Sequence, residues 1–567
     1  MNKEWKLAEL PKEEYVKELS KQPNVPLLIT QLLAQRGVKT LPEARNYFRP
    51  TLEKLHDPFL MKDMDVAVAR LTIAIEKGER ILFYGDYDAD GTTAVALYMH
   101  FFRSVYNNVD YYIPDKYAEG YGVSERGIDY AHTTNCQLII SLDCGITSFE
   151  AIDAANRRNI DFIVCDHHQV GEELPKATAV LNPQREDCNY PFKGLSGCGV
   201  GFKLLQGFCQ KHGIDPTPLW SHLDLVALGT ACDVVPMVDE NRVLCHQGVS
   251  YLKKTKKAGL LALFSSLKLD QNNITLNDLA YSLGPVINAA GRVAHAQYAA
   301  SILSTEDPKE AKELAVELNR LNGLRRKYDQ QNTEEAFTLG EEEKDNSILV
   351  LYKEDWHKGV LGIVASKCVA QFGKPTICLT HSRGEVTGSV RSTDNFDIHE
   401  LLTDCDDLLD KFGGHTSAAG LSLKEENLSA FKERVIDKVD KKMNGKEFVS
   451  FRNIDLKVNL ADINLSVANI LQQMKPFGHE NEIPVFLAEK VKVTDTPRVL
   501  KDKHLKFNIV QHEGDQALSV IAFNQVEKLE VITTSVFDIL FKLEINEFRG
   551  NKTLQLNCVD IKKSENE

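Results

Sequence analysis

Five apolar runs, spaced by helical patterns, constrain this chain more than any other feature. They are Arg80–Tyr84, Val109–Ile113, Gln137–Leu142, Ile160–Cys165 and Ala179–Leu181. They are short and nearly continuous in apolar character, as expected of strands buried on both faces. Ala94–Met99 opens a helix after the first, and Phe149–Arg158 reads as a helix between the third and fourth. Strand and helix in alternation predict an α/β fold with a parallel sheet covered on both sides. In such sheets ligands bind outside the carboxyl ends of the strands. Those ends carry Gly85-Asp86-Tyr87-Asp88-Ala89-Asp90-Gly91, Asp143-Cys144-Gly145 and Asp166-His167-His168, and Asp233 follows another apolar segment, Leu223–Leu228.

Three carboxylates spaced two residues apart repel one another and raise each other's pKa. A single Asp would suffice to cap the following helix. A divalent cation resolves the conflict, because hard carboxylate oxygens suit Mg²⁺ or Mn²⁺. The candidate ligands are Asp86, Asp88, Asp90, Asp143, His167, His168 and Asp233. This set exceeds what one ion takes, so two ions about 3.5–4 Å apart are expected, able to activate a water against a phosphodiester. Imidazole among the donors favours Mn²⁺ over Mg²⁺. Taken alone, Asp143 could cap a helix near Thr147, and Asp233 could be a turn residue. Of the adjacent histidines, His167 is assigned to the metal and His168 to the substrate phosphate.

With 567 residues, several domains are expected. Residues 1–60 read as a helical lead-in and 61–304 as the catalytic domain. Its Tyr281–Arg292 stretch reads as a Gly-rich turn ending in a cation. Residues 305–345 are charge-dense with helical spacing, a solvated connecting helix. A second α/β unit spans 346–445, with Gly388-Ser389-Val390-Arg391-Ser392 and Gly413-Gly414-His415 read as phosphate-binding turns. From 446 to 567 the period becomes two, which predicts a small closed antiparallel barrel. Phe507 and Phe523 fall in its apolar alternation and are assigned to its core. Net charge is −14, which argues against indiscriminate coating of nucleic acid. The 12 cysteines form no Cys-x-x-Cys pair, so reduced buried thiols are expected and a zinc site is not. No spanning segment or signal-peptide core is visible, and a cytoplasmic location without membrane contact is the default expectation.

The motifs Gly85–Gly91, Leu142–Gly145, Asp166-His167-His168 and Ala231–Pro236 resemble the DHH phosphoesterase superfamily, and within it the single-strand-specific 5′→3′ DNA exonucleases. Gly388–Ser392 and Gly413–His415 resemble the DHH-associated domain, and Pro476–Asn481 with the following strands resembles the OB-fold of those enzymes. The resemblance covers nearly the whole chain. It implies that Asp88, Asp90, Asp143, His167 and Asp233 hold the metals, with Asp86 as ligand or support, and that His168 touches the scissile phosphate. It further implies that Arg292, Ser389 and Arg391 bind the DNA 5′ phosphate, with Lys116, Asn288 and His415 as further substrate contacts. Arg supplies the forked donor such a role needs. Two departures stand out: Lys116 replaces an expected Arg, and Val390 an expected small residue. The implied function is release of 5′-mononucleotides from single-stranded DNA in repair and recombination. A monomer is expected, with a single-strand-binding protein and a helicase as candidate partners. Arg498, Lys501 and Lys506 are candidates for strand contact on the barrel. The competing readings are a phosphodiesterase of short oligonucleotides or cyclic dinucleotides, and a non-catalytic single-strand-binding scaffold. The barrel argues against the first, and the filled ligand positions against the second.

Overall fold

The computed structural model describes residues 3–394, 396–446, 448–548 and 550–564. They form two compact units: one of His56–Val235 with Gln247–Ser450, the other of Glu4–Leu55, Pro236–His246 and Phe451–Glu567.

The first unit is built on the expected parallel sheet. Its strands are β1 (Ile81–Gly85), β2 (Val109–Tyr112), β3 (Leu138–Leu142), β4 (Asp161–Cys165) and β5 (Ala179–Leu181), in the order β2-β1-β3-β4-β5. Every neighbouring pair is parallel. The apolar runs have a direct cause here, since β1 and β3 are buried along their whole length. Phe83 packs on Tyr98 and Phe102 of helix α1 (Ala89–Phe102) at 5.0 and 5.1 Å between ring centroids. Leu82 and Tyr84, which point the other way, join Ile128, Ile152, Phe162 and Val164 in a second core. Strand order reverses between β1 and β3, so the crevice for a ligand opens at their carboxyl ends.

Helices α2 (Gly197–His212), α3 (Leu223–Cys232), α4 (Ala258–Leu267) and α5 (Gly284–Val293) follow. The apolar segment Leu223–Leu228 lies in α3, and the expected turn at Tyr281–Arg292 is helical as well. Helix α6 (Pro308–Glu342) runs for 35 residues, starting from Asp307, whose side chain accepts from Lys309 N, with Pro308 in the first turn. It is not simply solvated. Ala311, Ala315, Leu318, Leu321, Ala336 and Gly340 are buried at helical spacing.

The second α/β domain of this unit contains β6 (Leu349–Tyr352), α7 (Leu361–Phe372), β7 (Thr376–Ser382), β8 (Glu385–Arg391), β9 (Lys411–Gly414) and β10 (Ala418–Leu423). Its sheet order is β9-β10-β8-β7-β6, with only β6 and β7 parallel. Gly388–Arg391 and Gly413–Gly414 thus belong to strands rather than turns. Val390 is fully buried in the core of this sheet, so the departure there concerns packing.

The second unit holds the barrel: β11 (Phe486–Val493), β12 (Arg498–Leu500), β13 (His504–Val510), β14 (Leu518–Ala522), β15 (Phe537–Phe548) and β16 (Asn551–Lys563). β11 pairs with β15, β15 with β16, β16 with β14, β14 with β13, and β13 returns to β11, which closes the barrel. One correction applies: β14 and β16 run parallel. Phe507 is in the core at 2% exposure, but Phe523 is 50% exposed, because it follows the last paired residue of β14. The N-terminal segment also departs from expectation. Glu4–Leu7 forms a strand parallel to Phe451–Ile454, and Leu28, Ile29, Leu32 and Leu33 share one core with Phe486, Phe507 and Phe537. All twelve cysteines are thiols, eleven of them buried. Among the described residues no helix is long and apolar enough to cross a membrane.

Candidate metal centre

β1 delivers the chain to Asp86, and the return into α1 is tight. A Cβ at Gly91 would lie 2.5–2.7 Å from the backbone of Asp86, so only glycine allows the loop to close on itself. Asp88 caps α1, its Oδ1 accepting from Asp90 N at 2.9 Å and Gly91 N at 3.1 Å. Asp90 is clamped by the start of α2. Its Oδ2 accepts from Gly197 N at 2.6 Å and its Oδ1 from Cys198 N at 3.2 Å, the arrangement a helix N-terminus favours for an anion. Asp143 follows β3 at φ +65°, a left-handed conformation that turns its carboxyl toward the same crevice. A Cβ at Gly197 would sit 2.3 Å from Asp143 Oδ1, so the glycine makes room for the carboxylate. Asp233 ends α3.

His167 completes the cluster. Its Nε2 lies 3.1 Å from Asp143 Oδ1 and 3.5 Å from Asp233 Oδ2. The ligand-capable atoms fall into two separate triads, Asp90/His167/Asp233 and Asp86/Asp88/Asp143, each with its atoms within 4.8 Å of one another. Asp143 also groups with His167 and His168, which links the two. Three carboxylate oxygens in this cluster, Asp86 Oδ1, Asp143 Oδ1 and Asp233 Oδ2, are buried without a hydrogen-bond partner. Leaving such groups unmet is costly. Burial first, and then the neighbouring carboxylates, hold Asp86, Asp90 and Asp143 well above the ordinary carboxylate range. Burial keeps His167 low, so it stays neutral and able to ligate. Hard oxygens with one imidazole in two adjoining triads fit a pair of divalent cations such as Mn²⁺ or Mg²⁺. Asp86 sits with Asp88 and Asp143 rather than behind them.

His168 is built differently. Its Nδ1 lies 2.7 Å from Asp166 Oδ1, and that oxygen also accepts from the backbone N of His167 and of His168. The other Asp166 oxygen accepts from Ile146 N at 2.9 Å. Burial opposes a charge on His168, but Asp166 outweighs it and holds the imidazole up to about 9. Asp166, which holds His168 in place, has no role of its own in the sequence reading. Its signal in the sequence was its place directly before the histidine pair.

A cationic pocket lies beside this centre. Arg391 ends β8, and its Nη2 lies 2.6 Å from where a Gly362 Cβ would be, at the start of α7. Ser389 Oγ is 3.5 Å from the same point. Arg292 lies in the last turn of α5, and its backbone oxygen accepts from Tyr117 Oη and leaves no space for a side chain at Gly359. Lys116 places its ammonium 4.7 Å from the centre of the Tyr87 ring. Burial, and then Arg292, push Lys116 down to about 8, while Asp86 and Asp88 pull the other way. Burial and Arg292 likewise lower Arg391. Among the described residues neither arginine has a carboxylate partner, so the pocket is prepared for an external anion. Asn288, expected at the substrate, instead accepts from Ala89 N through its Oδ1 at 2.8 Å and supports the acidic loop. His415 lies in the exposed turn between β9 and β10, and among the described residues no hydrogen bond joins its ring to the pocket.

Comparison with known proteins agrees with this reading part by part. The sequence model of the DHH family, N-terminal domain, matches residues 80–230, the DHHA1 domain 345–441 and the RecJ OB domain 454–560. The single-stranded-DNA-specific exonuclease RecJ of Bacillus subtilis is 36% identical over 560 residues, spanning 98% of this chain and 70% of that protein. The chain belongs to the RecJ family. The Escherichia coli RecJ is 35% identical over 94% of this chain and 95% of its own length. Crystal structures of the Thermus thermophilus RecJ superpose with TM-scores of 0.86 in complex with Mn²⁺ and 0.76 in complex with Mg²⁺. They are 26% and 25% identical, and each covers 99% of this chain and about four-fifths of the other, at 80% and 79%. RecJ family membership thus accounts for the acidic crevice, the second α/β domain and the barrel together.

Proposed function

We propose that this RecJ-family protein is a metal-dependent exonuclease that hydrolyses single-stranded DNA from its 5′ end and releases 5′-mononucleotides. The observation that carries the reading is the pairing of two adjoining ligand triads with a pocket whose two arginines have no carboxylate partner among the described residues. Two divalent cations, when bound, supply charge to the reacting phosphate and activate water. The protein's own residues do the rest. Asp86, Asp88, Asp90, Asp143, His167 and Asp233 hold the cations. His168 is protonated at neutral pH, with Asp166 fixing Nδ1, and its Nε2–H, which meets Tyr121 Oη at 3.1 Å, donates to the scissile phosphate once that contact is exchanged. Arg292, Arg391, Ser389 and Lys116 grip the terminal phosphate, and a site that holds a strand by its terminal phosphate selects ends over interior positions. That grip sets both the end preference and the direction. Arg498, Lys501 and Lys506, with the exposed Phe523 ring, are the strand contacts we assign to the barrel, since aromatic faces and cations bind single strands without sequence preference. A free 5′ end arises by strand separation, so a helicase and a single-strand-binding protein are the partners this reading calls for.

Asp143→Ala tests it. The variant is expected to lose Mn²⁺-dependent mononucleotide release from a long 5′-phosphorylated strand while binding that strand as before. Undiminished release, or cleavage restricted to dinucleotides in the wild type, would refute the assignment.

A further inference from the structure

The cations of the phosphate pocket are joined through one neutral side chain. Lys116 follows β2 in a turn that Asp115 closes, its Oδ1 accepting from Tyr117 N and Ala118 N at 2.8 Å each. Asp115 N in turn donates to Glu119 Oε1 at 2.8 Å. The next residue, Tyr117, is held on several sides. Its amide is the one that donates to Asp115. Its carbonyl accepts from Arg383 Nη1. Its ring lies under the Lys358 ammonium, 4.3 Å from the ring centre. Its hydroxyl donates to the main-chain oxygen of Arg292.

Each of these handles leads to a phosphate-binding group. Arg292 lies in the last turn of α5, where a carbonyl has no partner within the helix. The Tyr117 hydroxyl supplies that partner. The Arg292 guanidinium donates through Nη1 to Gly359 O at 3.4 Å, one residue after Lys358. Arg383 sits at φ +57° in the turn that joins β7 to β8. Strand β8 carries Ser389 and ends at Arg391. Lys116 is the chain neighbour of Tyr117. Asp115 and Arg292 belong to the first α/β domain, Lys358 and Arg383 to the second, so Tyr117 ties the two halves of the pocket together.

The pocket needs such a tie, because its cations repel one another. After burial, Arg292 is the largest cause that lowers both Lys116 and Arg391. Packing supplies only part of the restraint. Tyr117, Val293 and Ala294 line an open cavity of about 660 Å³, together with Trp356, His357 and His381. On that side the end of α5 is not backed by a filled core, and the hydrogen bond does the holding. The hydroxyl remains a donor throughout the working pH range, since burial pushes Tyr117 up to about 12 while Arg292 pulls the other way.

We infer that Tyr117 is a positioning residue for the terminal phosphate: acting through the Arg292 carbonyl, its hydroxyl sets the guanidinium where it meets the phosphate oxygens and so sharpens the preference for 5′-phosphorylated over 5′-hydroxyl ends. This rests on the reading of Arg292, Arg391, Ser389 and Lys116 as the grip on that phosphate.

Tyr117→Phe tests it, because the variant loses the hydroxyl alone and keeps the ring under Lys358. Binding of a short 5′-phosphorylated oligonucleotide and of its 5′-hydroxyl twin is measured by fluorescence anisotropy on the full chain in chelator. Mononucleotide release from both is then followed with Mn²⁺. For the phosphorylated strand the variant should bind about five- to tenfold more weakly and show a KM raised by the same factor, as expected for one ordinary hydrogen bond. Its kcat, its melting temperature and its handling of the 5′-hydroxyl strand should match wild type. In an Arg292→Ala background, Tyr117→Phe should cause no further loss, whereas a residue that merely supports the fold would weaken that variant too. An unchanged phosphate preference in Tyr117→Phe, equal losses on both strands, or a further loss in the double variant would overturn the inference. A wild type that binds both strands alike would remove the phosphate grip itself, and the inference with it, and that failure is visible before any variant is made.

Discussion

Gly197→Ala is the substitution that best tests how the metal centre is assembled. A methyl group there would meet Asp143 Oδ1 at 2.3 Å, its Cβ at 2.4 Å and its Cα at 2.6 Å. Ordinary contact begins about 1 Å further out, so either Asp143 or the start of α2 must move by roughly that distance. Overpacking of this kind costs about 1–3 kcal/mol of stability. Moving α2 also stretches the 2.6 Å bond from Gly197 N to Asp90 Oδ2, and a hydrogen bond to a charged group contributes ~1.5–3 kcal/mol. A displacement of about 1 Å in a catalytic array lowers the rate on the order of 100-fold. The assay is mononucleotide release from a 5′-phosphorylated strand at saturating Mn²⁺, beside thermal melting. Gly199→Ala is the control. It lies in the same helix, its added methyl would meet nothing closer than 3.4 Å, and alanine gains up to ~1 kcal/mol of helix propensity over glycine. It should melt no lower than wild type and turn over normally. If Gly197→Ala kept full turnover and Mn²⁺ affinity, Asp143 and Asp90 would not be held by the α2 start as argued.

Three further outcomes are expected. Lys116, held near 8, is charged in the free enzyme only below that pH, so kcat/KM on a 5′-phosphorylated strand should fall above about pH 8. Lys116→Arg should remove that fall, and a wild-type profile in the variant would exclude Lys116 from phosphate binding. The same depressed value means the unfolded chain holds more protons between about pH 8 and 10.5, so this residue's contribution makes stability rise across that window. In chelator, Asp143→Asn should melt higher than wild type near neutral pH, because it removes one of several buried, mutually repelling carboxylates, and Mn²⁺ should then stabilise wild type far more than the variant. Phe523→Ala should weaken single-strand binding by about 1–3 kcal/mol without changing the melting temperature, which a filter-binding titration and a thermal scan would check.

What the sequence disclosed depended on burial. β1, β3 and β4 are covered on both faces, so their apolar runs and the acidic residues after them were legible directly. Leu223–Cys232 is equally apolar yet helical, since a short buried run has the same composition in either conformation. Glycines misled at Gly284, Gly291 and Gly388. These sit in helix or strand where neighbours press close, such as Cys232 Sγ 2.7 Å from a Gly284 Cβ, rather than in turns. Phe523 read as core because alternation continues one residue past the paired length of β14. Asp166 stands in the sequence as part of a motif, but its bonds to two backbone amides and an imidazole come from tertiary structure.

The second unit is assembled from both ends of the chain, and this has a consequence for synthesis. Leu28, Ile29, Leu32 and Leu33 leave the ribosome early, but the surface they pack against includes Phe486, Phe507 and Phe537. The strand at Glu4 waits for its partner at Phe451. At ~5–20 residues per second, the interval is about 20–90 s. Throughout it the nascent chain carries an uncovered apolar helix, and for most of it the strands of the parallel sheet have already been made. A holding chaperone is therefore most needed at the amino terminus, and a truncation after Ser450 would leave that helix uncovered for good.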